Sequence, residues 1–316
     1  MWTLIAQIFP YAIAFTIPLL ITSLGGLFSE RSGVVNIGLE GLMVVGSFTG
    51  AIVIYTLQPI MSPDLAVWIG LLAAALAGGV FAILHAFASI NLNANQVISG
   101  TAINMMAGAL TVFLARNVTG SGNIPIVRGL LRRDVPILSE IPVIGRLFFT
   151  STYATTWLVL AILLLGWYVI YKTSYGLRLR ACGEHPHAAD SAGVNVYKVR
   201  YIAVILSGAF SGLGGGILLV TIAGEFTGSV AGLGFLALAA LIFGQWKPLG
   251  ILGATAFFGL ASTIANVSSV IPMLKVIPGV ILKVFPYIVT LIALVAFSKS
   301  SQAPKAAGEP YEKGKR

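Results

Sequence analysis

Nine apolar runs, each near the length that crosses a bilayer, divide this 316-residue chain and leave few architectures open to it. A helix needs about 20 mostly apolar residues to cover roughly 30 Å of hydrocarbon. The runs cover 5–28, 34–57, 65–90, 97–115, 151–171, 199–222, 229–246, 249–266 and 280–298. Charge is scarce: 9% of residues are Asp, Glu, Lys or Arg against 57% hydrophobic, where a soluble domain carries about a quarter charged residues. Disorder is excluded too, because it requires low hydrophobicity and high charge. The expected fold is all-α, a polytopic integral membrane helical bundle of about nine (eight to ten) transmembrane helices. Pro10, Pro18, Pro278 and Pro286 mark where broken helices are expected, and 229–246, only 18 residues long with three glycines, is a weak run. The first run lacks a basic stretch ahead of it and a small-residue cleavage pattern, so it is expected to stay as a span. A single transmembrane domain over 1–298 and a disordered, solvated cytoplasmic tail over 299–316 complete the plan.

Cytoplasmic loops collect Lys and Arg, and alternate sides of the nine runs differ in this respect. Arg31, the 172–200 loop, Lys247 and the tail put 12 on one side, against 7 on the other. The first side is expected to be cytoplasmic, with the N-terminus outside. The net charge of +9 thus reflects topology, and nucleic acid is not expected as a partner. The outer loop 116–150 alternates apolar residues with Arg128, Arg132, Arg133 and Arg146. It reads as a segment on the outer leaflet or as a rim for an external partner.

Catalytic material is missing. The chain contains no phosphate loop, no H-E-x-x-H and no nucleophile elbow. Cys182 is its only cysteine, and two of the three histidines, His185 and His187, share one short loop. Neither a metal site nor a cofactor is expected, and the chain reads as a non-enzyme.

Polar groups inside the runs are costly, about 2.5 to 3.5 kcal/mol for a charge at the bilayer centre, so each is a functional candidate. Glu40 lies within a run, four residues after Asn36 and on the same helix face, in a stretch with three glycines between Ser32 and Gly41. It either lines a pathway or sits near the cytoplasmic end and reaches Arg31 or water. The amides Asn95, Gln96 and Asn104 suit a neutral polar solute or serve as glue between helices. Glu225, in an outer break, and Asn266, near the end of a run, complete the candidates.

The inner loop, 172–200, contains Gly183-Glu184-His185-Pro186-His187-Ala188-Ala189-Asp190 and then Gly193. Pro186 suits the first helical position, Glu184 faces the positive helix start, and Gly193 suits a left-handed C-terminal cap. The pattern predicts a short helix, with Asn195 capping the next. By its chemistry alone the short helix is either a connector or a rigid knob gripped by a cytoplasmic partner.

Four stretches resemble the membrane subunits of nucleoside-type ABC importers, within the ribose and branched-chain amino-acid permease family. They are Ser32–Met43, Ala94–Asn104, Tyr175–Asn195 and Gly232–Gly250. The third is similar to the coupling segment that meets the ATPase, although Cys182, His185 and His187 replace an apolar, an amide and a basic residue of that pattern. The resemblance implies residence in a bacterial cytoplasmic membrane, alternating access, and ATP hydrolysis on a partner chain. It also implies the partners: a second homologous permease, an ATPase with two nucleotide-binding halves, and an extracellular substrate-binding lipoprotein. The solute implied is a nucleoside, with a simple sugar such as ribose as the alternative. An ion-coupled secondary transporter is the competing class on physical grounds.

Overall fold

The computed structural model describes residues 2–267, isolated positions between 281 and 292, and 302–313. The ninth run, 280–298, falls outside the described residues as a span. Seven helices among those described are long and apolar enough to cross a membrane. They are α1 (Trp2–Arg31), α2 (Leu39–Leu57), α3 (Pro63–Ala86), α4 (Gln96–Thr119), α5 (Ala154–Lys172), α8 (Val196–Leu218) and α10 (Pro248–Val267). Shorter helices are α6 (Ser174–Glu184), α7 (Pro186–Ser191) and α9 (Leu233–Phe243). α3 and α8 each run on through one wider π-helical turn, Phe87–Asn91 and Leu219–Ala223.

Small residues decide which helices form the centre. On α8, Gly208, Gly212 and Gly216 recur every fourth residue and so lie on one face. A Cβ at Gly208 would strike Ala82 and the Gly78 carbonyl, one at Gly212 the Ala74 carbonyl, and one at Gly216 Ala74 and Leu71. α3 answers with Ala74, Gly78 and Ala82 at the same spacing. Gly215 abuts Met43 of α2 and Gly214 abuts Thr22 and Pro18 of α1, so α8 is gripped from three sides. Lipid offers no hydrophobic gain for joining helices, so backbones are held by this close packing instead. Burial follows the same division: 89% of the α1 span and 72% of the α8 span are covered, against 22% for α4, whose Ile98, Met105 and Phe113 are exposed. Apolar residues in those positions suit hydrocarbon contact.

Five expectations need correction. α1 runs as one helix from Trp2 to Arg31 through Pro10 and Pro18, where a break was expected. The run 229–246 is an eleven-residue half-helix, α9, preceded by irregular chain. At about 1.5 Å per residue it covers only half the hydrocarbon. Gly232 precedes it with φ +79°, a left-handed turn open to glycine. The loop 116–150 does not simply lie on the leaflet: its strand β1 (Ile124–Pro125) pairs antiparallel with β2 (Glu225–Phe226), and Ile124 is fully buried. Phe226 then packs edge-on against Phe48 of α2 at 5.5 Å. The loop 172–200 contains a second helix, α6, beside the expected α7. Finally, 302–313 is not a solvated tail: Ala306 and Tyr311 are each 3% exposed, packed on the face that carries Arg31, α6 and α7. Backbone bonds from Ala306 N–H to Gly183 (2.9 Å) and from Gly308 N–H to Gly33 (3.1 Å) hold it there.

Candidate pathway residues and coupling face

Between α1 and α2 the chain is unwound over 32–38, and polar side chains of α3, of α4 and of the segment itself satisfy the freed backbone groups. Val35 N–H donates to Gln96 Oε1 (2.6 Å), and the Val35 carbonyl accepts from His85 Nε2 (3.0 Å). That acceptor places the proton of His85 on Nε2, so Nδ1 is free to accept from the Ser99 hydroxyl (2.9 Å). Asn104 Nδ2 donates to the Ile37 carbonyl (3.1 Å) while its Oδ1 accepts from Gly41 N–H (2.7 Å). Asn36, fully buried, donates to Ser207 Oγ of α8 (3.0 Å) and accepts from Gly38 N–H (3.1 Å). Backbone polar groups in hydrocarbon cost several kcal/mol each if unsatisfied, so the break exists because these four side chains meet it.

Glu40 closes the arrangement. Its Oε1 accepts from Gly232 N–H (2.9 Å) and its Oε2 from Gly234 N–H (2.7 Å), the free donors at the start of α9. The helix dipole puts positive charge there, which favours the carboxylate further. Glu40 therefore does not reach Arg31, one of the two roles its position suggested. Gly234 sits so close that a Cβ would strike the Glu40 backbone. The beginnings of α2 and α9 thus face each other across one carboxylate.

The structure brings together Asn36, Glu40, Gln96 and Asn104. It does not bring in the other three candidates. Asn95 is the exposed N-cap of α4, accepting from Val97 and Ile98 N–H at 2.9 and 3.2 Å. Glu225 is exposed in β2 at the opposite face, and Asn266 is exposed near the end of α10.

At the basic face, α1 ends with two ionisable residues that seize the turn between α9 and α10. Glu30, buried, accepts from the Trp246 indole N–H, and Arg31 Nη2 donates to the Trp246 carbonyl (2.7 Å). Gln245 and Trp246 both adopt positive φ, 54° and 52°, which non-glycine residues hold only when their surroundings impose it. α7 spans Pro186–Ser191 with Pro186 first, and Gly193 follows with φ +82°. Asn195 Oδ1 caps α8 by accepting from Lys198 N–H (3.0 Å). Glu184 departs from its expected role: it ends α6 and lies 4.0 Å from Arg31 Nη1. Pro186 and Ala189 are buried while His185, His187 and Ala188 are exposed, so the corner shows one face outward. Beside it, Glu184–Ala188 with Lys305, Ala306, Glu309 and Pro310 line an open pocket of about 520 Å³. Burial pushes the Cys182 thiol up to about 11 and the Tyr311 phenol up to about 12, so neither ionises near neutral pH.

Sequence reasoning missed His85, Glu30 and the packing role of Arg200. A histidine inside an apolar run and a Glu-Arg pair closing one were the available signals. For Arg200 there was none, since a loop arginine beside Lys198 reads as solvated. It is 1% exposed; its Nε donates to the Ser32 carbonyl and its Nη1 to the Glu309 carbonyl, both at 3.2 Å.

Comparison with known proteins agrees with this architecture. The chain is 46% identical to the guanosine ABC transporter permease protein NupQ of Bacillus subtilis, covering 99% of this chain and 98% of the relative. It is 44% identical to the nucleoside ABC transporter permease protein NupC of Lactococcus lactis, with 95% of each covered. A second Bacillus subtilis protein, the guanosine ABC transporter permease protein NupP, is 30% identical over 63% of this chain and 56% of its own length. The family described as branched-chain amino acid transport system / permease component matches residues 8–294. A multi-pass helical bundle with an unwound first connection and a half-helix, matched over nearly its whole length, belongs to that family of ABC transporter permeases.

Proposed function

We propose that this chain is a membrane subunit of an ATP-driven importer of nucleosides. Similarity to NupQ over nearly the full length of both chains carries the reading. The break at 32–38 agrees with it: Asn36, Glu40, Gln96 and Asn104 are set where two helix starts meet, and amides suit a neutral solute rich in hydroxyl and ring-nitrogen groups. In this proposal the basic face is cytoplasmic, in a bacterial plasma membrane. α7 is the contact for an ATPase with two nucleotide-binding halves. A second permease chain of the NupP kind completes the pore, and an extracellular lipoprotein delivers the solute. ATP closure of the ATPase moves α7, and the bundle alternates between outward and inward openings.

The test is reconstitution with those partners in vesicles, with labelled guanosine and ribose offered in turn. Guanosine uptake is expected to require ATP and the lipoprotein, and ribose is expected to stay outside. Replacement of 186–192 by a Gly/Ser linker is expected to leave ATP hydrolysis running without uptake. Ribose uptake in place of guanosine would move the substrate to sugars. Uptake that persists without ATP and stops when the proton gradient collapses would remove the importer reading altogether.

A further inference from the structure

We infer that residues 302–313 are a coupling clamp, through which movement of α7 reaches the unwound segment 32–38, and that Tyr311 is the positioning residue joining the two. This rests on α7 being the ATPase contact. The segment makes more connections than a tail needs. Gln302 N–H donates to Gln245 Oε1 (3.2 Å) in the α9–α10 turn, and Ala306 and Gly308 N–H bond to Gly183 and Gly33 as described. Tyr311 lies against His187 of α7 (ring centroids 5.1 Å) and Tyr197 of α8 (5.4 Å), and the Tyr197 hydroxyl donates to its carbonyl (3.4 Å). Asn93, between α3 and α4, donates to Glu312 (3.3 Å).

Two of these links bear on transport. Tyr311 touches α7 itself through His187. Three residues earlier, Gly308 N–H holds the Gly33 carbonyl, and Arg200 donates at once to Glu309 and to Ser32. The clamp therefore grips the coupling helix at one end and the break at the other. That break carries Asn36 and runs into Glu40. α7 also reaches Asn36 by a second route, along α8 to Ser207. Two routes in parallel predict that loss of the clamp weakens coupling and leaves assembly intact. A displaced packed element moves between discrete arrangements, so a short segment anchored by the buried Ala306 and Tyr311 can transmit such a shift.

The experiment compares three variants in the complete reconstituted complex: Tyr311→Ala, a chain ending at residue 301, and Tyr311→Phe. The first two are expected to co-purify with the ATPase at wild-type yield and to keep basal ATP hydrolysis within about twofold, while guanosine carried per ATP falls by about tenfold. Tyr311→Phe keeps the ring contacts and is expected to match wild type. Wild-type transport per ATP in Tyr311→Ala and the shortened chain would overturn the clamp. So would loss of the ATPase from Tyr311→Ala, which would make the segment an assembly element. A wild-type complex whose hydrolysis ignores guanosine would instead overturn the functional reading, and the clamp with it.

Discussion

Glu40 and Arg200 solve the same problem with opposite charges. Each is an ionisable side chain close to a place where the chain stops being helical, Arg200 buried and Glu40 half-buried, and neither is paired with an oppositely charged side chain among the described residues. Glu40 is met by two N–H groups at the start of α9, and Arg200 by the carbonyls of Ser32 and Glu309. A buried ion pair leaves little net gain once both partners have been desolvated. Backbone dipoles offer the charge a partner and find one for themselves, so a single side chain settles both needs. The difference lies in what each holds. Glu40 joins two helix starts inside the bundle, and Arg200 joins a break to a peripheral segment at the basic face.

The largest effect is therefore expected at Glu40. Glu40→Ala leaves the Gly232 and Gly234 N–H groups without acceptors, at about 1–3 kcal/mol for each buried donor left unmet. Uptake is expected to fall to background, and the thermal midpoint of the purified complex to drop. Glu40→Gln keeps one acceptor oxygen and should fall between. Equal midpoints for all three proteins would deny that the carboxylate holds α9. Arg200→Met comes next. It preserves the packed stem and removes the donors to Ser32 and Glu309, for a smaller loss of about 2 kcal/mol. Uptake should be reduced and not abolished; a loss as complete as that of Glu40→Ala would erase the distinction between centre and periphery.

Gln96→Ala and Asn104→Ala each remove one partner of the break, at about 1 kcal/mol in stability. If these amides also meet the solute, the concentration giving half-maximal uptake rises while complex yield stays unchanged; a shift in stability alone assigns them to holding helices together. The smallest effect concerns Cys182. With its thiol raised to about 11 by burial, on the order of one thiolate in a thousand is present at pH 8. Maleimide is expected to leave it unlabelled in folded protein and to modify it after denaturation. Rapid labelling of folded protein would mean that the basic face opens more readily than its packing implies.

Much of the architecture was legible in order along the chain. Backbone groups in lipid must bond within their own segment, so α1 to α5, α8 and α10 declare themselves as apolar runs. The α7 helix was legible from Pro186 and Gly193, and the start of α8 from Asn195, because caps are local chemistry. α9 was not. Its eleven residues and the irregular chain before it are together as apolar as a full span, and the helix begins at Leu233, where the distant Glu40 accepts from the Gly232 and Gly234 N–H groups. α6 escaped notice because its exposed side mixes Leu177 with Arg178, like a loop. Of the candidate pathway residues, Glu40, Asn36, Gln96 and Asn104 stood out as polar groups in apolar surroundings. Asn95 looked the same, yet its side chain serves the adjacent turn.

The amino-acid sequence by itself determined which segments enter hydrocarbon and where most of them stop. These follow from transfer free energies and local hydrogen bonding, which act over a few residues. Only the tertiary structure decided what Glu40 and Arg200 hold. Glu40 meets Gly232 across 192 residues and Arg200 meets Glu309 across 109. A charge in a low-dielectric interior must find whatever dipoles the packing of distant helices delivers, and no local pattern records which those are.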